Sequence, residues 1–258
     1  MSGVAGLLLD IDGVLAVSWD PVPGAIEAVA SLRAQGVPFR LITNTTTHTR
    51  RDLAATLRRA GFEVDADEIV TAVTATASYL QEHHPGRRAF VLTDGAPGED
   101  LAGVPIARTA QDADVVVIGG ACDAFTYETM KAIFRRLMDG VQLVGMHRNL
   151  YWKTSQGWEL DGGAYIAALE EASGARAVIC GKPARAFFET GLALLGVPAA
   201  RAAMVGDDVM NDIEGARAAG MTGVLVRTGK FREADLAKGA PDVVLDSFAD
   251  VPGWLRGA

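Results

Sequence analysis

Short apolar runs alternate along this chain with stretches whose apolar residues recur at helical spacing. The first run, residues 4–9, is almost continuously apolar, which is typical of a strand buried on both faces of a sheet. Further runs of this kind lie at residues 39–43, 177–180, 202–205 and 223–226. Because helical stretches separate most of these runs, the pattern predicts βαβ units and a parallel sheet of the α/β class.

The middle of the chain predicts a second α/β unit. Its candidate strands are residues 89–92, 115–118 and 143–146, and its candidate helices are residues 126–138 and 164–172. The segment His83-His84-Pro85-Gly86 has the character of a linker, since Pro and Gly interrupt periodic structure. We therefore expect a Rossmann-like core made of residues 1–81 and 177–258, with a smaller α/β domain, residues 82–176, inserted into it.

Composition narrows the class of protein. Of 258 residues, 49% are apolar and 22% are charged, as in soluble globular proteins. The net charge of −8 argues against nucleic acid as a partner, because phosphate backbones are bound by clustered Lys and Arg. It allows a small phosphorylated substrate, since a bound metal can reverse the local field.

The expected location is the cytoplasm, without a membrane. No apolar run approaches the roughly 20 residues of a membrane span, and the first acid comes too early for a signal peptide. The two cysteines, Cys122 and Cys180, could form one disulfide, but two buried thiols in a reducing compartment are the simpler interpretation.

Two carboxylates follow the first strand, in Asp10-Ile11-Asp12-Gly13. Residues two apart on an extended chain point to the same side, so the carboxylates repel each other unless a cation or proton intervenes. Mg²⁺ is the usual hard cation near phosphate. Asp10 can then act as a nucleophile, and Asp12 as general acid and base. Alone, the tetrapeptide is equally consistent with a plain turn at the end of a strand.

Two further runs end in groups that can bind phosphate. Thr43 and Asn44 can hydrogen-bond to phosphate oxygens, although such residues also cap helices. Lys182 precedes Pro183, which fits the first position of a helix, and anions bind at helix N-termini. A cation there would offset the charge of a nucleophile and of a phosphoryl group. Taken alone, Lys182 is most simply an ordinary surface lysine.

An acidic loop, Gly206-Asp207-Asp208-Val209-Met210-Asn211-Asp212, follows the run at residues 202–205. Its acidic and amide groups are so close together that a cation would stabilise them, which makes Asp207 a candidate metal ligand. Asp212, about one and a half helical turns further on, can support the metal site or orient Lys182. An acidic N-cap and first helical turn would give the same pattern.

Taken together, these motifs resemble those of a known family. Ligands bind outside the carboxyl ends of strands in open parallel sheets, so the four loops can converge. Asp-x-Asp-Gly-Val at 10–14, Thr43, Lys182 and Gly-Asp-Asp-x-x-x-Asp at 206–212 resemble the four motifs of the haloacid dehalogenase-like (HAD) hydrolase superfamily. The insert resembles that superfamily's large α/β (type C2) cap, found in relatives of pyridoxal phosphatase and p-nitrophenyl phosphatase.

A narrower resemblance extends from the later part of the insert into the core. The segments Tyr151-Trp152-Lys153, Leu160-Asp161-Gly162-Gly163 and Gly181-Lys182-Pro183 are similar to the phospholysine phosphohistidine inorganic pyrophosphate phosphatase group. His147 follows a predicted strand of the insert, where it can line the substrate cleft, although a position at the rim would explain it equally well.

The resemblance implies a role for each matched residue. Asp10 would be the nucleophile and a metal ligand. Asp12 would be the acid–base and would bind Mg²⁺ through its backbone carbonyl, and Asp207 would complete the protein's ligands. Thr43 would bind phosphate, and Lys182 would neutralise charge.

The remaining predicted site residues lie beside these groups. Those predicted to contact the substrate or its phosphate are Ile11, Asn44 and His147, and those predicted to support the site are Asp208 and Asp212. Caps of this family often pair, so the resemblance allows a homodimer through the cap.

The sequence thus predicts a Mg²⁺-dependent phosphatase that hydrolyses a small phosphorylated metabolite through an aspartyl-phosphate at Asp10. A phosphotransferase or phosphomutase would share all four motifs. A dehalogenase needs neither Mg²⁺ nor Asp12, so the second carboxylate and the acidic loop argue against it. A phosphate-receiving signalling module also combines aspartates, Thr and Lys on a parallel sheet, but the inserted domain argues against that class.

Overall fold

The computed structural model describes residues 3–154 and 157–257, and the side chains of residues 152–154 lie outside that description. The predicted similarity at Trp152-Lys153 therefore falls outside the described side chains. The chain forms two compact units. The first comprises the residues up to Thr43, Arg50–Val70 and the chain from Lys182 onward, and the second comprises Asn44–Thr49 and Thr71–Gly181.

Strands and α-helices are distributed along the whole of the described chain. The strands are β1 (Gly6–Asp10), β2 (Ala16–Val17), β3 (Asp20–Pro21), β4 (Phe39–Thr43), β5 (Ile69–Thr71), β6 (Ala89–Leu92), β7 (Val115–Ile118), β8 (Gln142–Gly145), β9 (Tyr151–Thr154), β10 (Gly157–Leu160), β11 (Val178–Ile179), β12 (Ala202–Gly206), β13 (Thr222–Val226) and β14 (Val243–Leu245). The α-helices are α1 (Ala25–Ala34), α2 (Arg50–Arg59), α3 (Ala72–His83), α4 (Tyr127–Met138), α5 (Gly162–Ser173), α6 (Arg185–Leu195), α7 (Gly215–Ala218) and α8 (Val251–Gly257). Across residues 3–154 and 157–257, no helix has the length and apolar character needed to cross a membrane.

A six-stranded sheet, in the order β14-β13-β12-β1-β4-β5, forms the centre of the first unit. β1 pairs in parallel with β12 on one side and with β4 on the other. β13 and β14 extend the β12 side, also in parallel. The strand order therefore runs outward in both directions from the β1–β12 pair, which makes that pair the point where the order reverses. This sheet confirms the predicted Rossmann-like α/β core.

Helices cover both faces of this sheet. Successive residues of its central strand, β1, point to opposite sides and pack against different helices. Leu7 and Leu9 of β1 are fully buried in a core cluster that also contains apolar residues of α1 and α2. Leu8, on the other face, lies against Gly191 of α6. A Cβ added to Gly191 would be only 2.9 Å from a methyl carbon of Leu8. The continuous apolar run at the start of the chain is thus a strand with both faces buried, as predicted.

A four-stranded parallel sheet, in the order β11-β8-β7-β6, forms the second unit. Val116 and Ile118 of β7 face a core cluster that includes residues of α4 and α5. Val115 and Val117 face the opposite cluster, which includes residues of α3. β9 and β10 pair antiparallel in the same unit. A second α/β unit with its own parallel sheet is therefore present, as the sequence predicted.

The division into units differs from the predicted limits at both ends of the insert. The apolar face of α3, with Ala72, Val73 and Leu80, packs within the second unit rather than the first. β11, which was predicted as a core strand, pairs with β8, with Val178 opposite Val144. An apolar run identifies a strand, but long-range pairing decides which sheet it joins, and local sequence does not encode that partner.

The helix after Lys182 begins later than predicted. Ala184 is the N-cap of α6, with a non-helical ψ of 130°, so Pro183 lies two residues before the first helical residue, Arg185. The prediction that Pro183 opens this helix is wrong. Lys182 consequently lies on the non-helical segment that leads from β11 to α6.

Candidate functional site

The reversal point of the first unit's sheet carries the two aspartates that the sequence placed at strand ends. Asp10 is the last residue of β1, and Asp207 directly follows the end of β12 at Gly206. Their residues are 5% and 2% exposed, respectively. Because the strand order reverses between these two strands, the crevice at their carboxyl ends is where an open α/β sheet binds its ligand.

Three buried carboxylates meet at this point. One oxygen each from Asp10, Asp207 and Asp212 lie within 4.8 Å of one another. The Lys182 Nζ lies 2.8 Å from Asp10 Oδ1 and 2.7 Å from Asp212 Oδ1. Burial alone would lower the pKa of Lys182, but the charges of Asp10 and Asp212 outweigh it and raise that pKa above its usual range. Lys182 is therefore a buried ammonium group that joins the first strand to the acidic loop.

Asp212 is positioned by the irregular helix that follows β12. Residues Val209–Glu214 form a π-helical segment that leads into α7. The Asp208 side chain caps this segment by accepting hydrogen bonds from the backbone N–H groups of Met210 and Asn211. Asp212 Oδ2 accepts the Asp208 N–H at 3.1 Å, and Oδ1 faces Lys182. Burial, together with the charges of Asp10 and Asp208, raises the pKa of Asp212 to about 7 despite Lys182.

Asp207 has one oxygen engaged and one without a hydrogen-bond partner. Oδ2 accepts the Lys230 backbone N–H at 2.6 Å. Within the described residues, the buried Oδ1 has no hydrogen-bond partner. Burial first, and then the charges of Asp10 and Asp212, raise the pKa of Asp207 to about 8. An unsatisfied buried carboxylate oxygen is costly, so this atom marks a position for a cation or a proton.

Two glycines allow the backbone to approach Asp207 closely. Gly13 has φ +82° and Gly229 has φ +61°, both in the left-handed region, and a Cβ on either would collide with the Asp207 carboxylate. The Thr228 hydroxyl donates a hydrogen bond to the Gly13 carbonyl oxygen. The loop after β1 and the loop after β13 are thereby held against the same aspartate, which explains why glycine is needed at both positions.

The loop residues next to Asp10 occupy the same strand ends. The Ile11 N–H donates to Asp10 Oδ1 at 2.8 Å, and Ile11 itself is buried. Asp12 is partly exposed in the turn that follows. Thr43, 2% exposed, ends β4, whose Ile42 is paired with Asp10 in the sheet. The structure thus brings Asp10, Asp207, Asp212 and Lys182 close together and places Asp12 and Thr43 at or next to the adjoining strand ends.

Two predicted residues belong to the second unit. Asn44 directly follows Thr43 in the chain, and its Oδ1 would lie 2.5 Å from a Cβ on Gly181. His147 is buried, with Nε2 3.9 Å from Asp161 Oδ1, and the Asn149 N–H donates to its Nδ1 at 3.3 Å. Asp161 is the N-cap of α5. Burial lowers the pKa of His147 more than Asp161 raises it. The role of His147 toward a substrate stays a prediction.

The loop after β13 contributes residues for which the sequence suggested no role. Lys230 supplies a backbone hydrogen bond to Asp207, and its side chain lies in the field of the acidic cluster. Partial desolvation lowers the pKa of Lys230, but the charges of Asp207 and Asp10 outweigh it and raise that pKa. The signal in the sequence was one more polar loop, Thr228-Gly229-Lys230, directly after an apolar run.

The chemistry of this cluster suits a hard cation. Mg²⁺ prefers oxygen ligands, and in proteins it is usually bound by one or two carboxylates while it keeps several water molecules. The unpartnered Asp207 Oδ1 and the nearby Asp10 carboxylate provide such oxygens, whereas Asp212 is already engaged by Lys182 and the Asp208 N–H. The residues present therefore fit a divalent cation between Asp10 and Asp207.

Comparisons with known proteins identify the family. A family model described as haloacid dehalogenase-like hydrolase matches residues 7–107, and a second, described as HAD-hydrolase-like, matches residues 179–251. Haloacid dehalogenase-like hydrolase domain-containing protein 2 of Bos taurus is 37% identical over 244 residues, which cover 94% of this chain and 92% of that protein. Phospholysine phosphohistidine inorganic pyrophosphate phosphatase of Rattus norvegicus is 36% identical over 256 residues, which cover 97% and 92%, respectively.

Solved structures agree in fold along the whole chain. The p-nitrophenyl phosphatase from Archaeoglobus fulgidus superposes with a TM-score of 0.91 and 29% identity, over 97% of this chain and 99% of that one. NagD from E. coli K-12 superposes with a TM-score of 0.86 and 27% identity, over 96% and 98% of the two chains. With similarity extending over nearly its entire length, the chain belongs to the haloacid dehalogenase-like hydrolase family, and its relatives there include phosphatases.

Proposed function

We propose that this protein is a Mg²⁺-dependent phosphatase that hydrolyses a small phosphorylated metabolite through an aspartyl-phosphate on Asp10. The observation that carries this proposal is the cluster of buried charged side chains at the point where the strand order of the sheet reverses. Lys182 bridges Asp10 and Asp212 there, beside the unpartnered oxygen of Asp207. Such a group combines a fixed nucleophile, a positive charge for the phosphoryl oxygens and a place for a cation.

Asp10 is held in a geometry suited to attack. The contacts of its carboxylate with the Ile11 N–H and with the Lys182 ammonium both involve Oδ1. In the proposed reaction, Asp10 Oδ2 forms a bond to phosphorus while the bond between phosphorus and the leaving oxygen breaks. Asp12 donates the proton that this oxygen requires. Lys182 offsets the negative charge of the phosphoryl group during transfer.

The second step returns the free enzyme. Asp12, now a carboxylate, takes a proton from a water molecule as the water attacks phosphorus. The bond between phosphorus and Asp10 breaks, and inorganic phosphate leaves. Asp212 takes no part in bond changes. It keeps Lys182 in place through the 2.7 Å ion pair.

The proposed ligands of Mg²⁺ are the carboxylates of Asp10 and Asp207 and the backbone carbonyl of Asp12. When bound, the cation would supply positive charge to the phosphoryl oxygens, as divalent cations do in phosphoryl transfer. Thr43 is proposed to hydrogen-bond to the phosphate, and Asp208 to support the loop through the helix that it caps.

The substrate is proposed to be a small phosphorylated molecule that the second unit helps to select. Relatives are named for phospholysine, phosphohistidine, pyrophosphate and p-nitrophenyl phosphate, so these compounds head the panel to be tried. Contacts of Ile11, Asn44 and His147 with the substrate are part of this proposal. A homodimer through the inserted domain and a cytoplasmic location stay predictions.

Mg²⁺ is expected to stabilise the chain more at pH 8 than at pH 6. Burial raises the pKa of Asp207 to about 8, so the metal-free folded chain holds a proton that the unfolded chain releases near the ordinary carboxyl pKa. The stability that this bound proton gives the metal-free folded chain is complete below the ordinary carboxyl pKa. It is lost as the pH rises through the raised pKa of Asp207, about 8. Mg²⁺ replaces the proton, and at about 100 times its Kd it should raise the Tm by roughly 5 °C.

Thermal unfolding of the metal-stripped protein, with and without MgCl₂ at the two pH values, measures this effect. Asp207→Asn is the matched variant, since it keeps the size of the side chain and loses the titrating group. It should show little stabilisation by Mg²⁺ at either pH. An equal stabilisation of the variant and the native chain would remove Asp207 from the proposed ligand set.

Asp12→Asn is expected to separate the two steps. p-Nitrophenolate is a good leaving group that needs no proton, so the variant should still form the aspartyl-phosphate, whereas activation of water is lost. Stopped-flow absorbance should then show a burst of p-nitrophenolate close to one equivalent of enzyme, followed by turnover that is slower by about 10²-fold or more.

Mass spectrometry of the quenched Asp12→Asn variant should locate the phosphoryl group on Asp10. Phosphate on any other residue would contradict the proposed function. If the native chain instead transferred the phosphoryl group to an added alcohol in preference to water, it would be a phosphotransferase.

A further inference from the structure

A strained two-residue turn lies six residues beyond Asp12. β2 and β3 form a hairpin in which Val17 pairs with Asp20, so Ser18 and Trp19 are its two loop residues. Both have positive φ, 51° and 71°. Two-residue turns of this kind favour Asn-Gly and Asp-Gly, because residues with a Cβ are disfavoured in the left-handed region. A bulky indole in that conformation persists only if its surroundings hold it there.

The side chain of Trp19 provides that hold. It is partly buried and packs against the main core cluster of the first unit, which includes Ile11, Val14 and Leu15 from the loop around Asp12. Ser18, in contrast, is exposed. Of the two turn residues, Trp19 is therefore the one that packs against the core.

The hairpin is in turn bonded to both neighbours of Asp12. The Ala16 N–H donates to the Ile11 carbonyl oxygen at 3.2 Å, and the Ala16 carbonyl accepts the Gly13 N–H at 2.8 Å. Asp12 and Ala16 form an isolated β-bridge. Ala16 belongs to the strand whose position the turn fixes, so the anchor at Trp19 reaches Asp12 through backbone hydrogen bonds on either side of it.

We propose that Trp19 is a positioning residue for Asp12: the indole holds the hairpin so that the Asp12 carboxyl can protonate the leaving group. The inference rests on the proposed function, in which Asp12 is the general acid. A carboxyl displaced by about 1 Å loses much of its contribution to catalysis. The loss of kcat/KM in a Trp19 variant should then be larger for leaving groups that need a proton than for those that do not.

The test compares substituted phenyl phosphates of similar size, with Mg²⁺ present, for the full chain. Trp19→Ala should lower kcat/KM for phenyl phosphate by about 10- to 100-fold, and for p-nitrophenyl phosphate by about 3-fold or less. Plots of kcat/KM against leaving-group pKa should therefore become steeper, as they should for Asp12→Asn. A purely structural role would lower all substrates by the same factor.

Three variants control the result. Ser18→Ala changes the exposed residue of the same turn and should leave kcat/KM unchanged for every substrate. Trp19→Phe keeps an aromatic anchor and should restore most of the phenyl phosphate activity. Trp19→Gly fits the left-handed backbone without an anchor, and it should behave as Trp19→Ala does. Should Trp19→Ala not fold, Trp19→Leu takes its place, with the same discrimination expected.

The two ideas fail in different ways. If Asp12→Asn steepens the plot and the Trp19 variants lower all substrates equally, the positioning role of Trp19 is wrong and the proposed function stands. Wild-type activity of Trp19→Gly would also overturn it, because the turn would then need no anchor. If Asp12→Asn itself shows no dependence on the leaving group, Asp12 is not the general acid and both proposals fall.

Discussion

Asp10→Asn should abolish phosphatase activity, with kcat for p-nitrophenyl phosphate reduced by at least about 10³-fold in the presence of Mg²⁺. An amide oxygen is a far weaker nucleophile than a carboxylate, and it cannot form the acyl phosphate from which water releases phosphate. The side chain keeps its size and can still accept the Ile11 N–H that now reaches Asp10 Oδ1 at 2.8 Å. Colorimetric assay of nitrophenolate release measures the loss.

The matched control for Asp10→Asn is Asp208→Asn. Asp208 lies next to Asp207 in the same acidic loop, but its carboxylate accepts backbone N–H groups at the start of the π-helical segment. Asn is an equally good N-cap, so this variant should lose less than about 10-fold in kcat. Near-full activity of Asp10→Asn, while the native chain is active, would exclude Asp10 as the nucleophile.

Lys182→Met should damage both activity and stability. The Lys182 ammonium is the shared partner of two carboxylates, and the three residues are 4%, 5% and 0% exposed for Lys182, Asp10 and Asp212, respectively. Removing one partner of a buried ion pair leaves uncompensated charge, at a cost of about 3–5 kcal/mol in the free energy of unfolding. Loss of the positive charge at the phosphoryl group should lower kcat by about 10²-fold or more.

The double variant Lys182→Met/Asp212→Asn separates these effects. Lys182→Met leaves two buried carboxylates without their cation, and Asp212→Asn removes one of those charges. Urea unfolding should therefore show a partial recovery of the free energy of unfolding, while phosphatase activity stays low. Lys230→Met is the control, because Lys230 bonds to Asp207 through its backbone N–H, which the substitution leaves in place. Lys230→Met should lower the free energy of unfolding by less than about 1 kcal/mol. An Lys182→Met chain as stable as the native one would contradict the buried ion-pair arrangement.

The residues of the site could be predicted because each ends or follows an apolar strand. The run of residues 4–9 leads to Asp10, residues 39–43 end at Thr43, and residues 202–205 lead to Asp207. Parallel strands place their carboxyl ends at one edge, so polar residues at those positions converge whatever the details of packing. The spacing of Asp212 from Asp207 left two roles open, support of a metal site or orientation of Lys182, and the 2.7 Å ion pair with Lys182 favours the second.

What the sequence could not supply was determined by long-range contacts. β14 and β11 are short, three and two residues, and neither carries a pattern that assigns it to a particular sheet. The engagement of Lys230 depends on a loop that meets Asp207 only after folding. Trp19 in a left-handed turn contradicts local preference, and packing against the core is what overrides it.

The position of β1 between β4 and β12 has a consequence for synthesis on the ribosome. The nearly all-apolar β1 is made first, yet one of its two edges is filled only when residues 202–206 have been translated. The second compact unit, by contrast, is complete once Gly181 has emerged. We expect that unit to fold first, and the nascent chain to need protection of its first strand until β12 arrives. Asp10 meets its partners Lys182, Asp207 and Asp212 only at that late stage, so no truncated product that ends before β12 can assemble the site.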